Sequence, residues 1–410
     1  MIDMGIFPHS RDNEELVVKR MTDEEFRLLV RSLNVQQMKF FYHVLHSIKS
    51  CNEQLTVFLS GGGGVGKSRV TNALYEALVR YLDRIPSENP DEVKVLKAAP
   101  TGKASYLIRG QTLHGIFRIP INCGFKYSPL DQDRLNTVRS QLRKLKVIFI
   151  DEISMVGSGM FRFVNLRLQQ IMGTRKVFGG VHLIAVGDLF QLKPVFDQWM
   201  FQDSKGAYGV LATNIWKENF KMYEVTEVMR QKDNVEFAEL LNRLREGNQT
   251  EDDIEILRGR TLHVKKPTQS TYPMNVPHLF SNNKAVDKHN LRIFSIAKSE
   301  KAHISAIDVV IADLSDEVKE CMKQKIPKDP TKTMGLYAVC SVLVGARYDL
   351  TTNVSVLDGT TNGAECIVEK IDYRVADSKR PSIIWVSFKE VPMGCKQRKE
   401  YSHLYNEQIE

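Results

Sequence analysis

The stretch LSGGGGVGKSRV, residues 59–70, restricts the fold of this chain more than any other part of its sequence. Consecutive glycines increase the entropy that folding must overcome, so such a run is either a flexible linker or a loop that needs unusual backbone angles. The spacing Gly-x-x-x-x-Gly-Lys-Ser fits one register only, from Gly61 to Ser68. An apolar, β-branched run precedes it and a helical pattern follows it. This strand, loop and helix order is typical of a phosphate-binding P-loop and not of a linker.

In a loop of this kind, backbone N–H groups converge on phosphate oxygens and the helix N-terminus adds the positive end of its dipole. Lys67 is expected to reach the β- and γ-phosphates of a nucleotide, and the Ser68 hydroxyl to hold Mg²⁺. The predicted helix begins at Lys67 and buries Val70, Ala73, Leu74, Ala77, Leu78 and Leu82. The predicted nucleotide cradle consists of Gly61, Gly62, Gly63, Gly64, Val65, Gly66, Lys67, Ser68 and Arg69.

A second apolar run, 147–150, ends in two carboxylates, Asp151 and Glu152. Ligands of parallel α/β sheets bind at the carboxyl ends of strands. Asp151 is therefore expected to position Mg²⁺, and Glu152 to polarise the attacking water. Two more predicted strands, 93–99 and 181–186, are followed by polar residues in the same way. Four strand ends that converge on one edge predict an α/β fold, a RecA-like P-loop NTPase domain with a parallel sheet.

The net charge and the spacing of the cysteines indicate which kinds of partner and which cellular compartment to expect. Lys and Arg number 57 against 49 Asp and Glu, which gives a net charge of +8 and favours a polyanion such as nucleic acid. The six cysteines form no C-x-x-C pair, so neither a zinc site nor a disulfide framework is indicated. No apolar run approaches the roughly 18 residues of a membrane helix, and no signal peptide is recognisable. An intracellular protein without a membrane partner is expected.

Six segments occur in an order that points to one family: GGGGVGKS, APTGKAS, GQTLHGIF, VIFIDEISMV, FGG and GDLFQLKPV. As an ordered set they resemble the Pif-type DNA helicases of superfamily one, which are related to RecD and to Helitron helicases. The resemblance covers roughly residues 33–370. It implies ATP and Mg²⁺ as cofactors, and single-stranded DNA and DNA junctions as partners. It also implies 5′ to 3′ translocation by a monomer in repair, recombination, telomere maintenance or transposition, in the nucleus or mitochondrion.

The resemblance also implies roles for particular residues. Gln37 resembles the adenine-reading glutamine, and the alternative is a glutamine on an ordinary helix. Gln191 resembles the γ-phosphate sensor, and Arg230 an arginine that faces the γ-phosphate across a cleft. The residues expected to face single-stranded DNA are Thr101, Gly102, Thr112, His114 and Phe117. Phe117 is either a ring on which a base stacks or a core residue.

The implied organisation has three parts. Residues 1–222 form a first RecA-like domain with a short insert at about 118–140, residues 223–336 begin a second RecA-like domain, and residues 337–410 form a β-rich, SH3-like insert. The pattern departs from the family, because GDLFQ lacks an arginine and the segments containing Ser-Gln-Gly and Ala-Leu-Ser-Arg do not occur. The second domain is therefore expected to be incomplete, whether the chain is a fragment, a truncated gene or a decayed transposon copy. Two alternatives stay open: a nucleotide-dependent DNA-binding protein without productive unwinding, and a P-loop ATPase that remodels proteins.

Overall fold

The computed structural model describes residues 20–50, 53–84, 92–120, 127–203, 213–229, 234–265, 276–327, 332–333, 336–373, 380–390, 392–400 and 402–403. These residues fall into two compact units, 20–265 and 276–403. None of the described helices is long and apolar enough to cross a membrane.

The first unit contains six strands and most of the helices. Its strands are β1 (Thr56–Ser60), β2 (Val95–Ala99), β3 (Gln111–Thr112), β4 (Val147–Ile150), β5 (His182–Gly187) and β6 (Lys221–Glu224). Its helices are α1 (Asp23–Arg31), α2 (Val35–Ser50), α3 (Lys67–Leu82), α4 (Gly102–Leu107), α5 (Leu113–Phe117), α6 (Gln132–Leu142), α7 (Ser158–Met172), α8 (Ile215–Asn219), α9 (Val235–Glu246), α10 (Glu251–Gly259) and α11 (Leu262–Lys265). Short 3-10 helices lie at Ile153–Met155 and Val177–Gly180.

The six strands form one parallel sheet in the order β3-β2-β4-β5-β1-β6. This confirms the predicted α/β fold with a parallel sheet. The strands β4, β5 and β1 are neighbours, so the turns that follow them emerge side by side at the carboxyl edge. The P-loop follows β1, the two carboxylates follow β4, and Asp188 follows β5.

Alternating side chains on the strands build a core on each face of the sheet, as pleated strands require. In β4, Val147 and Phe149 pack with helices α2 and α3, whereas Ile148 and Ile150 pack with α5, α6 and α7. All six residues of the apolar stripe predicted for α3 are buried. The helix begins at Lys67, as predicted.

The second unit contains α12 (Asn283–Ile296), α13 (Asp316–Gln324), α14 (Cys395–Glu400), β7 (Lys301–Ser305), β8 (Val339–Leu343), β9 (Arg347–Asp349), β10 (Glu365–Asp372) and β11 (Ile383–Phe388). Its described strands form two antiparallel sheets, β11-β10-β9 and β7-β8. The concentration of strands after residue 337 is confirmed. Because β7 pairs with β8, one sheet crosses the predicted boundary at 336/337. The second RecA-like domain, the SH3-like insert and the domain boundaries stay predictions.

One turn in this unit differs from the type that its sequence favours. An Asn-Gly pair such as the one at 362–363 is typical of a type I′ turn, which needs positive φ at both residues. Gly363 has φ 80°, but Asn362 is not among the described non-glycine residues with positive φ. Ala364 N–H donates to the Thr361 carbonyl at 2.9 Å, so the pair closes a four-residue turn with positive φ at its third residue only.

The proposed stacking of a DNA base on Phe117 is wrong for this structure, because the ring is fully buried. It lies in the core between the sheet and α7, and its backbone carbonyl accepts a hydrogen bond from the Arg167 Nε at 3.0 Å. The alternative reading, a core residue, is correct. A sequence motif does not distinguish an aromatic ring that faces solvent from one that lies in the interior.

Replacing Phe117 with alanine should lower the free energy of unfolding by about 3–5 kcal/mol, because a fully buried ring leaves a cavity. Phe117→Leu fills most of that space and should cost less. Urea denaturation measures both variants. If Phe117→Ala kept its stability but bound single-stranded DNA more weakly than the unchanged protein, the base-stacking role would be restored.

Candidate nucleotide site at the carboxyl edge of the sheet

The P-loop packs closely against two other parts of the first unit, the backbone after β6 and a side chain of α2. A Cβ built on Gly61 would lie 2.5 Å from the Val225 carbonyl oxygen, and one on Gly66 would lie 2.5 Å from Gln37 Nε2. Gly66 also has φ 82°, a left-handed conformation that precedes the first turn of α3. Glycine is therefore required at both positions of the sequence motif.

Lys67 lies over this loop. Its Nζ donates to the carbonyl oxygens of Gly61 at 2.7 Å and Gly62 at 3.0 Å. Burial lowers the pKa of Lys67, while the nearby charges of Asp188, Asp151 and Glu152 oppose that shift. The ammonium thus lies at the loop with two uncharged carbonyl partners, which an anion could replace. Ser68 and Arg69 are exposed on the first turn of α3.

The two predicted carboxylates stand next to this lysine. Asp151 accepts a hydrogen bond from the Glu152 N–H through Oδ1 at 2.9 Å. Burial raises the pKa of both carboxyls, and the negative charge of Asp151 raises that of Glu152 further. Glu152 has φ 50° and ψ 44°, a left-handed conformation that costs a non-glycine residue about 1–2 kcal/mol. A strained backbone with a raised carboxyl pKa is a common feature of catalytic acids and bases.

The chemistry of the donors fits Mg²⁺ in company with a nucleotide. The Asp151 carboxylate and the Ser68 hydroxyl are hard oxygen donors. No group of three or more His, Cys, Asp or Glu side chains suited to a metal occurs among the described residues. Mg²⁺ is usually bound by one or two carboxylates together with substrate phosphates, so a sparse protein set of this kind is what a nucleotide-bound ion needs.

Gln37 has a contact that the sequence did not reveal. The side chain is completely buried, and its Nε2 donates to the Val65 carbonyl at 2.8 Å, while Oε1 accepts from the Asn34 N–H at 3.0 Å. It supports the P-loop from behind. The predicted reading of adenine by Gln37 stays a prediction.

The residues predicted to face DNA have local roles in the backbone. The hydroxyl of Thr101 accepts from the Ala104 N–H at 3.3 Å and that of Thr112 from the Gly115 N–H at 3.1 Å, which caps α4 and α5. Gly102 is buried and His114 is half-buried. These caps explain both threonines without DNA, and DNA contacts by any of the four residues stay predictions.

Of the two residues predicted to sense the γ-phosphate, the structure describes only Gln191. Gln191 is exposed in the segment after β5, and its backbone N–H donates to the Asp188 carbonyl at 3.0 Å. Arg230 lies outside the described residues. Both roles stay predictions.

The structure adds an arginine that sequence reasoning missed. Arg245, near the end of α9, donates from Nε and Nη2 to the two carboxylate oxygens of Asp188, at 2.8 and 2.7 Å. The two residues are 57 positions apart in the chain, and no motif connects them.

A buried lysine is a second residue that the sequence did not single out. Lys97 lies in the middle of β2, with its Nζ 3.3 Å from Asn72 Oδ1 and 4.3 Å from the centre of the Tyr75 ring. Burial lowers the pKa of Lys97 to about 8, helped by the positive charge of Arg109. Its charge in turn lowers the pKa of Asp151, against the effect of burial.

The family model for PIF1-like helicases matches residues 32–255, more than half of the chain. The chain belongs to the PIF1-like helicase family. The match spans the whole parallel sheet and the helices from α2 to α9, and it ends within α10.

Individual relatives agree. The chain is 25% identical over 270 residues to the ATP-dependent DNA helicase PIF1 of Candida albicans, which covers 64% of this chain and 28% of that protein. It is 31% identical over 199 residues to the ATP-dependent DNA helicase Pif1 of Campylobacter jejuni, covering 47% and 40%. A Pif1 structure described for DNA unwinding at forked duplex DNA by two coordinating helicases aligns with TM-score 0.56 and 25% identity, over 87% of this chain and 74% of that one. The chain thus matches well under half the length of these two curated PIF1-like relatives.

The buried Lys97 generates a prediction about pH. At pH 7 the native state must hold a charged lysine in the interior, a cost of roughly 3 kcal/mol for a pKa lowered from 10.5 to about 8. Between about pH 8 and 10.5 the unfolded chain binds this proton and the native state does not, so this cost falls as pH rises. Relative to the unchanged protein, Lys97→Met should therefore be most favoured at pH 7 and progressively less favoured up to pH 10.5.

Urea denaturation of the two proteins at several pH values measures that difference. Parallel pH profiles for Lys97→Met and the unchanged protein would contradict the assigned role of burial at Lys97.

Proposed function

We propose that this chain is an ATP-hydrolysing motor that moves along single-stranded DNA and acts as a DNA helicase. The observation that carries the proposal is the meeting of Lys67, Asp151 and Glu152 at the carboxyl edge of the parallel sheet, where β5 separates the strands β1 and β4 that they follow. Family membership supports the same conclusion, because the relatives described above are named ATP-dependent DNA helicases. A net charge of +8 agrees with a phosphate-rich partner.

The proposed chemistry divides among four side chains. Lys67 would exchange the carbonyls of Gly61 and Gly62 for the phosphates of ATP, where its charge stabilises the transferring phosphoryl group. Glu152, with its raised pKa, would accept the proton of the attacking water. Asp151 and the Ser68 hydroxyl would hold Mg²⁺, which neutralises phosphate charge when bound.

The further assignments belong to the same proposal. Gln191 and Arg230 would read the state of the γ-phosphate, and Thr101, Gly102, Thr112 and His114 would lie along the DNA path. Translocation 5′ to 3′, a preference for junctions and a nuclear or mitochondrial location are proposed from the family. A monomer is also proposed, although the forked-DNA structure is described with two coordinating helicases.

The first test removes the P-loop lysine. Lys67→Ala should reduce ATP hydrolysis in the presence of single-stranded DNA by at least about 100-fold, because a preorganised charge on the phosphates is lost. Lys176→Ala is the matched control, since Lys176 is an exposed lysine of the same unit. Steady-state hydrolysis with and without single-stranded DNA is measured, with circular dichroism to verify folding. Full activity in a folded Lys67→Ala protein would refute the site, and absent DNA stimulation in the unchanged protein would favour protein remodelling.

The second test separates binding from hydrolysis. Glu152→Gln keeps the shape of the side chain but cannot accept a proton at neutral pH. It should bind a fluorescent ATP analogue as tightly as the unchanged protein and hydrolyse ATP roughly 10²–10⁴-fold more slowly. Equal loss of binding and turnover would assign Glu152 to the metal or to the backbone of the turn.

A further inference from the structure

The end of helix α9 lies against the P-loop. A Cβ built on Gly62 would lie 3.8 Å from both the Nε and the Cζ of Arg245, and 3.4 Å from the Asn242 Oδ1. The carbonyl of the same glycine accepts the hydrogen bond from Lys67 Nζ at 3.0 Å. Two cationic side chains from different elements, α3 and α9, therefore converge on Gly62.

Asp188 holds the Arg245 guanidinium in one orientation. The carboxylate is only 1% exposed and receives two parallel hydrogen bonds from Arg245, an arrangement with strong geometric specificity. Burial acts to raise the pKa of Asp188, but the hydrogen bonds from Arg245 and from the Phe190 backbone outweigh it and lower that pKa. Arg245 Cζ lies 4.5 Å from the centre of the Phe190 ring, so this ring packs on the guanidinium while Asp188 accepts its hydrogen bonds. The ion pair is therefore rigid and buried on its carboxylate side.

Donors remain on this guanidinium beyond those that Asp188 uses. A guanidinium has five N–H groups, and its fork matches carboxylate and phosphate oxygens. Asp188 engages Nε and Nη2. The Nη1 group is 3.4 Å from the Glu246 carboxylate, whose side chain is 47% exposed, so this contact is long and open to solvent. One N–H of Nη1 and one of Nη2 thus remain for an anion in the loop, on a guanidinium whose Cζ would lie 3.8 Å from a Cβ built on Gly62.

We propose that Arg245, oriented by Asp188, binds the terminal phosphate of the nucleotide and connects its presence to helix α9. This inference rests on the proposed function, because it requires ATP in the P-loop. ADP lacks the phosphate in question, so Arg245 discriminates between ATP and ADP. Arg245 adds a cation to the phosphate site, in addition to Lys67 and the proposed Arg230, from a helix that follows the last strand of the sheet.

The same helix offers a matched control. Arg243 donates from Nε and Nη2 to the carboxylate of Asp253 on α10, at 2.7 and 2.8 Å. The two pairs have the same chemistry and nearly the same distances. They differ in position. Arg243 pairs with a residue of α10, whereas Arg245 lies next to the P-loop.

The experiment compares Arg245→Lys with Arg243→Lys. Equilibrium titration with Mg²⁺ present measures the affinity of each protein for ADP and for a non-hydrolysable ATP analogue. Arg245→Lys keeps the charge but loses the planar fork, and should weaken binding of the analogue about tenfold with less than about a twofold change for ADP. Arg243→Lys should change neither affinity. Thermal unfolding of each variant verifies that the proteins are folded.

Two outcomes would overturn the inference and are distinguishable. If the unchanged protein binds both nucleotides and Arg245→Lys changes both affinities equally, or neither, Arg245 only fastens α9 to β5. If the unchanged protein binds neither nucleotide, the proposed function fails and this inference fails with it. Should Arg245→Lys not fold, Arg245→Gln keeps a donor for Asp188 without the charge, and the same ratio of affinities decides.

Discussion

The parallel pairing of β4, β5 and β1 is the constraint on which the rest of the site depends. Parallel neighbours end at the same edge, so three turns that are far apart in the chain open side by side. The P-loop, the pair Asp151–Glu152 and Asp188 each follow one of these strands. A slip of the register by one residue would turn the buried side chains of a strand to the opposite face, and the two packed cores prevent it. The position of the charges is therefore fixed by apolar packing.

That edge concentrates charge in a partly buried place. Burial lowers the pKa of Lys67 and raises those of Asp151 and Glu152, so each group loses part of its preference for the charged form. The attraction between Lys67 and the two carboxylates opposes these shifts, and the Lys97 charge opposes the shift of Asp151. Such a balance makes the groups sensitive to an added anion or cation. A nucleotide with Mg²⁺ brings both, which agrees with a site that lacks a metal cluster of its own among the described residues.

Local patterns predicted most of this site, and distant contacts did not. Helix α3 and strand β4 follow from periodicity and from the glycine motif, because their causes lie within a few residues of sequence. The ion pair between Arg245 and Asp188 depends on how α9 packs on the sheet, which no local pattern records. Gln37 and Phe117 were recognised as members of motifs, yet only the fold shows that both are buried. Burial depends on how the whole chain packs, so the motif alone could not show that Phe117 is a core residue. The interpretation of Phe117 as a DNA contact was wrong for that reason.

The segment after β6 shows how the P-loop can influence the rest of the first unit. The N–H of Val225 donates to the Ser60 carbonyl and that of Met229 to the Gly64 carbonyl, both at 2.9 Å. Gln36, next to the glutamine that supports the loop, accepts from the Thr226 N–H at 2.9 Å. The backbone of 225–229 is thus hydrogen-bonded to the loop and to α2. A change of loop conformation must therefore either break these hydrogen bonds or move the segment 225–229 with the loop. Because α9 follows this segment and touches Gly62, the loop has two contacts with the chain beyond the sheet, one through backbone hydrogen bonds and one through a guanidinium.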